Sequence, residues 1–162
     1  MATLTTLLAE EVLDEITVPL RNDKAKRWIF GFPKMTDWMR DDLPGLETGV
    51  LKATETPQEQ LDNILYKWTS GKDIKYGRMF KDLMPGKDEV WELKTADLRV
   101  FGWIYQPRKF IAVFGDYADL YKSKKGNERY EVARSIVLMA RNTLQLDEPK
   151  FATGKFDDLV CV

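Results

Sequence analysis

The 162-residue chain contains no histidine and a single cysteine. Without imidazole, Ser-His-Asp and Cys-His catalysis are excluded, and so are zinc sites built on histidine. The lone thiol, Cys161, cannot close an intramolecular disulfide or assemble a thiolate cluster, which agrees with a reducing compartment. Any acid–base chemistry falls to Lys, Arg, Tyr, Asp or Glu. Neither G-x-x-x-x-G-K-[S/T] nor G-x-G-x-x-G occurs, so no local motif asks for a nucleotide, and neither cofactor nor metal is expected. No apolar run approaches the roughly 18 residues of a membrane span. No basic amino-terminal region leads into an apolar stretch, as a secretory signal would require. The expectation is a cytoplasmic protein without a membrane partner.

What is present suits one folded domain with room for one good core. The formal net charge of −1 hides an uneven distribution. Residues 1–71 carry 8 basic and 12 acidic side chains, residues 72–145 carry 15 and 10, and residues 146–162 carry 2 and 4. A basic middle between acidic ends can attract a polyanion.

Apolar residues at Leu4, Leu7, Leu8, Val12 and Ile16 describe an amphipathic acidic helix over 4–16, with Thr3 as its N-cap. Arg27 to Phe32 is aromatic and β-branched and reads as a first strand. Thr36 to Asp42 reads as a short helix; Gly49 to Ala53 is a short strand or a loop. Thr56-Pro57-Gln58-Glu59 is a strong helix start, with a capping box and Pro at the first helical position. Leu61, Ile64, Leu65 and Trp68 then form one apolar face, and Gly71 is a suitable stop. Three strands follow, Val90 to Lys94, Leu98 to Tyr105 and Phe110 to Gly115, close enough in sequence to pair as antiparallel hairpins. A Lys-rich loop and a helix over 128–142 close the pattern, and the tail after Pro149 reads as loosely held. The expected class is α+β, a small twisted antiparallel sheet covered by helices on one side. The expected organisation is an acidic segment and linker over 1–26, a main domain over 27–145 and a tail over 146–162.

The order of these pieces resembles the RelE/HigB superfamily of toxin–antitoxin ribonucleases, in its phage-derived HigB-like branch. The resemblance rests on Ile64-Leu65-Tyr66-Lys67-Trp68 with Gly71, on Phe80-Lys81-Asp82-Leu83, and on Val90-Trp91-Glu92-Leu93-Lys94. It continues through Leu98-Arg99-Val100-Phe101, Phe110 to Phe114, the Lys122 to Lys125 loop and Glu131-Val132-Ala133-Arg134, covering about 27–142. It implies a RelE-like fold, metal-independent cleavage of messenger RNA at the ribosome, and a cognate antitoxin that occludes the active face. The chain departs from the family pattern in reading Glu92-Leu93-Lys94 where the family has Glu-Leu-Arg, in its displaced lysine pair, and in its neutral charge and added amino-terminal residues.

Metal-free RNA cleavage needs a base for the 2′-hydroxyl proton, cations at the phosphate, and an acid for the departing 5′-oxygen. Lys94 and Arg99 lie on adjacent strands, near enough to reach one phosphate. Arg99 is the candidate clamp, since its planar fork suits phosphate oxygens; Lys94 is a second clamp or the base. Tyr117 or Tyr121 is a candidate to stack a base or serve as acid. Lys122, Lys124, Lys125 and Arg108 are candidates to grip the RNA backbone. Glu92, two residues before Lys94 and on the same strand face, reads as its ion-pair partner. Two function classes stand side by side: a RelE/HigB-like endoribonuclease, and a catalytically inactive binding protein on the same fold, such as a phage or mobile-element inhibitor of a host protein. The acidic amino-terminal helix is also a candidate cover for the basic face.

Overall fold

A computed structural model describes residues 1–162. Its elements, in chain order, are α1 (Leu4–Ala9), β1 (Asp14–Glu15), β2 (Trp28–Gly31), α2 (Pro33–Asp41), a 3₁₀ turn (Leu43–Gly45), α3 (Pro57–Ser70), β3 (Phe80–Asp82), β4 (Trp91–Lys94), β5 (Leu98–Gln106), β6 (Lys109–Tyr117), α4 (Asp119–Lys122), α5 (Gly126–Thr143) and α6 (Phe156–Val160). The α+β class is as expected, but two features of the expected sheet are corrected. The six strands lie in the order β1-β2-β6-β5-β4-β3 and the sheet is mixed, because β2 joins β6 in parallel. The chain leaves β2 through α2 and α3 before returning, and such a crossover permits parallel pairing. Helices also cover both faces rather than one.

Strand alternation divides the core in two. On one face Val100, Ile104, Phe110 and Leu93 pack under α2, α3 and α6, around Met35, Leu61, Leu65, Trp68 and Leu159. On the other, Phe101, Trp103 and Ile111 pack under α1 and α5, around Leu7, Ala133 and Val137. A β-bulge between Phe101 and Gly102 shifts the β5–β6 register, so Phe114 comes to stack on Phe101 with ring centroids 5.0 Å apart.

Helix α3 forms as the sequence dictates. The Thr56 hydroxyl accepts from the Glu59 amide at 3.2 Å, and the Glu59 carboxylate accepts from the Thr56 amide at 3.0 Å. Gly71 ends the helix with φ +81°, a left-handed conformation that glycine adopts without strain. At the helix's far end Trp68 donates its indole N–H to the Trp28 carbonyl (3.0 Å) and packs on Phe80 and Phe110.

The acidic helix expected over 4–16 stops at Ala9. Glu11 takes φ +58°, the chain turns, and Asp14–Glu15 pairs with β2 as an edge strand. The tail docks. Ala152 and Leu159 bond to backbone of β5 and of the β5–β6 turn. The Arg27 guanidinium donates to the Val160 carbonyl (2.6 Å) and to the carbonyls of Lys67, Trp68 and Lys72 at the end of α3. Gly49 to Ala53 contains no strand, and no helix is long and apolar enough to cross a membrane.

Candidate functional site

The β4–β5 hairpin sets the site. Its register places Lys94 opposite Arg99 and Glu92 opposite Phe101, so all three polar residues point to the face covered by α5. Lys81 of β3, opposite Glu92, joins them. Between β3–β4 and the first turns of α5 lies a cleft of about 400 Å³ lined by Lys81, Glu92, Lys94, Asn127 and Tyr130 among others.

Glu92 lies at the bottom of this cleft, 2 % exposed. The Tyr130 hydroxyl donates to its Oε1 at 3.4 Å, while Oε2 has no hydrogen-bond partner and lies 3.9 Å from Nε of Arg99. Burial pushes the Glu92 carboxyl above its ordinary value, against the opposing pull of Arg99 and Lys94. Desolvation pulls the Lys94 ammonium below its ordinary value; Glu92 opposes this, and Arg99, Lys81 and Lys122 reinforce it. Burial and the Glu92 charge both raise the Tyr130 phenol, which therefore keeps its proton at neutral pH.

Arg99 does not offer an open fork. It is 6 % exposed, and its Nη1 donates to the carbonyls of Thr95 (2.7 Å) and Leu98 (2.9 Å). The guanidinium sits beneath the cleft as a fixed positive charge beside Glu92.

Beyond Lys94 opens a second cavity of about 450 Å³ between α3 and the β4–β5 turn, lined by Asn63, Ile64, Lys67, Arg78, Met79 and Lys94 among others. The Lys94 ammonium donates to the Gly77 carbonyl at 2.9 Å between the two spaces. Lys122 donates to the Ala96 carbonyl at 3.3 Å, beside the same turn.

The residues expected from sequence thus separate. Lys94, Arg99 and Lys122 converge, with Lys124 and Lys125 exposed at the start of α5. Tyr117 does not join them: it is paired with Leu98, on the opposite sheet face, where its hydroxyl approaches the Glu47 carbonyl at 3.5 Å. Tyr121 is on the correct face but buried, its ring 5.0 Å from those of Phe101 and Tyr130 and its hydroxyl donating to Asp116 at 3.1 Å. Arg108 lies in the β5–β6 turn, at the other end of a nine-residue strand, roughly 25–30 Å away at 3.3 Å per residue. Sequence reasoning missed Tyr130 and Lys81 and gave Glu92 only an ion-pairing part. The signal for Glu92 and Lys81 is the period-two pattern of β4 and β3, which sets both on the Lys94 face. Nothing local marks Tyr130.

No family model matches the chain, and no curated protein or solved structure matches it at a significant level.

Proposed function

We propose that the protein is a metal-independent endoribonuclease acting on messenger RNA, in the manner of the RelE/HigB toxins that its strand and helix order resembles. The observation carrying this reading is the Glu92 carboxylate: buried, with one oxygen that accepts no hydrogen bond and faces Arg99 at 3.9 Å, at the floor of a cleft lined by Lys81, Lys94 and Glu131. A structural carboxylate at such depth ordinarily has all its oxygens satisfied, whereas a general base needs a free lone pair and a raised pKa.

In the proposed reaction Glu92 accepts the proton of a ribose 2′-hydroxyl. The 2′-oxygen attacks the adjacent phosphorus, and the bond from phosphorus to the 5′-oxygen breaks. The ammonium of Lys94, whose hold on its proton is weakened by its surroundings, protonates the leaving oxygen. The products are a 2′,3′-cyclic phosphate and a 5′-hydroxyl. Lys81 and Lys122 neutralise charge on the phosphate. Tyr130 and Arg99 position Glu92 from either side, and this replaces the clamp role that the sequence suggested for Arg99.

The test is cleavage of messenger RNA by the purified protein, with and without ribosomes, read by sequencing the new 5′-ends. Glu92→Gln and Lys94→Ala each lower the rate by about 10²–10⁴-fold. The wild-type rate rises with pH as Glu92 loses its proton and falls as Lys94 loses its own. Full activity in Glu92→Gln refutes the assignment of the base. Absence of cleavage and of growth arrest on expression turns the reading towards the inactive binding protein.

A further inference from the structure

Of the molecule's six ion pairs, none involves Lys67, Arg78, Lys81, Lys94 or Lys122. All five cations lie at one end of the sheet, where the β4–β5 turn, the approach to β3 and the carboxyl-terminal half of α3 meet. Carboxylates line the same spaces, Glu55 in the α3-side cavity and Glu92 and Glu131 in the cleft, but none is within ion-pair distance of these cations, and in the α3-side cavity three cations face one carboxylate. The excess positive charge there favours a bound polyanion. Lys94 lines both cavities, so the two spaces are neighbours separated by one side chain.

The chemistry of the α3-side cavity differs from that of the Glu92 cleft. It contains no unpartnered buried carboxylate: Glu55, at its rim, accepts from the Asn63 side-chain amide at 3.1 Å. Gln60 is fixed at both ends of its amide by Asp97, through 2.7 Å and 2.9 Å bonds. Ile64 and Met79 supply an apolar floor, and Lys67 and Arg78 a cationic wall. A volume of about 450 Å³ falls in the range of roughly 300–1,000 Å³ that holds small organic ligands. The cavity therefore suits binding, and the one group of the proposed acid–base chemistry that reaches it is Lys94, shared with the cleft.

We infer that single-stranded RNA crosses the end of the sheet over Lys94, with the scissile phosphate in the Glu92 cleft and a neighbouring nucleotide in the α3-side cavity, its phosphate held by Lys67 and Arg78. Which cavity cuts rests on the ribonuclease reading; the path of the strand rests only on where the cations and cavities lie. A flexible single strand follows a charged groove round a turn of this kind. A duplex cannot, because its bases are stacked inside and its shape is stiff.

The test uses the full chain and a fluorescent RNA octamer carrying 2′-O-methyl groups throughout, so that no cleavage can occur. Anisotropy gives its affinity over a series of salt concentrations. Lys67→Ala and Arg78→Ala each weaken binding several-fold and each lower the slope of log K against log salt by about 0.7. Lys155→Ala, which removes a charge lining neither cavity, leaves both unchanged. The octamer paired to its complement, and a nucleoside monophosphate with no second phosphate to span Lys94, bind at least tenfold more weakly. Unchanged affinity and slope in Lys67→Ala and Arg78→Ala, equal binding of the duplex or the monophosphate, or no binding by the wild type overturns the inference. Cleavage in the earlier assay without this dependence removes the strand path and leaves the nuclease. This dependence without cleavage does the reverse.

Discussion

The Glu92 carboxyl binds its proton more tightly in the folded chain than in the unfolded one, because burial removes water and leaves one oxygen without a donor. The linkage has a definite sign: a raised folded pKa contributes stability that is fully present below the unfolded value, about 4.3, and is lost as pH rises through the folded value. Glu92→Gln cannot ionise and lacks this dependence. Urea unfolding over a series of pH values is expected to show the variant gaining on the wild type as pH climbs above about 4.3; a difference constant with pH contradicts this account of Glu92. Arg99 presents the complementary case. Removing it leaves Glu92 buried beside one charge fewer, and breaking a buried pair in this way costs about 3–5 kcal/mol. Arg99→Ala is therefore expected to melt at least about 6 °C below the wild type, and lost activity in that variant must be read against its melting curve. A melting point within a degree of wild type shows that the guanidinium is dispensable to the fold. The sequence sufficed to set Lys94 and Arg99 on one face, since strand periodicity and a short hairpin turn determine register. It did not reveal the burial of Arg99, because that depends on α5 laying Tyr130 over the sheet, a contact from far along the chain.

Among the elements, α3 was legible to its ends because its stop and start signals are local: a capping box, Pro at the first position, Gly beyond the last. Thr56→Ala removes the cap and is expected to cost about 1 kcal/mol, or roughly 2–4 °C in a chain of this length, read by calorimetry. The two edge strands were not legible. β1 and β3 have two and three residues, too few to express alternation, and exist because β2 and β4 offer unpaired backbone beside them. The 4–16 segment failed for a related reason: its helical spacing named Val12 as apolar-facing, but Val12 is exposed and Leu13 buried after the chain turns at Glu11. The loop after the 3₁₀ turn is held by side chains, with the Gly49 amide donating to Asp97 at 3.0 Å and the Val50 amide to Asp119 at 2.9 Å. A Cβ on Gly49 would stand 2.5 Å from the Asp119 carboxylate. Gly49→Ala is expected to release this loop at a cost of about 1–3 kcal/mol through the loss of a partner for buried Asp97, with faster amide exchange confined to residues 46–55. Unaltered exchange there shows that the tether is not what orders the loop.

Across the whole molecule, the acidic amino-terminal segment and the cation cluster end up at opposite edges of the sheet. The amino-terminal segment adds β1 beside β2, while the cations gather beyond β4 and β3, four strands away in the sheet order. The segment thus completes a core and does not cover the basic end. Deleting residues 1–18 removes Leu7, Leu13 and Ile16, all buried. The truncated protein is expected to melt lower with no gain in RNA affinity; a tighter RNA complex in the truncated protein restores the idea of a built-in cover. The carboxyl-terminal turn has a different role, through Arg27. This guanidinium rests on α3 carbonyls, yet its shortest bond is to a residue 133 positions downstream. During synthesis, Arg27 must wait for 133 further residues before that bond can form, whereas its partners at the end of α3 are about 40–45 residues away. Contacts so distant in sequence form more slowly than local ones, so a nascent or refolding chain is expected to leave this corner open to water, and to proteases, after α3 itself has formed.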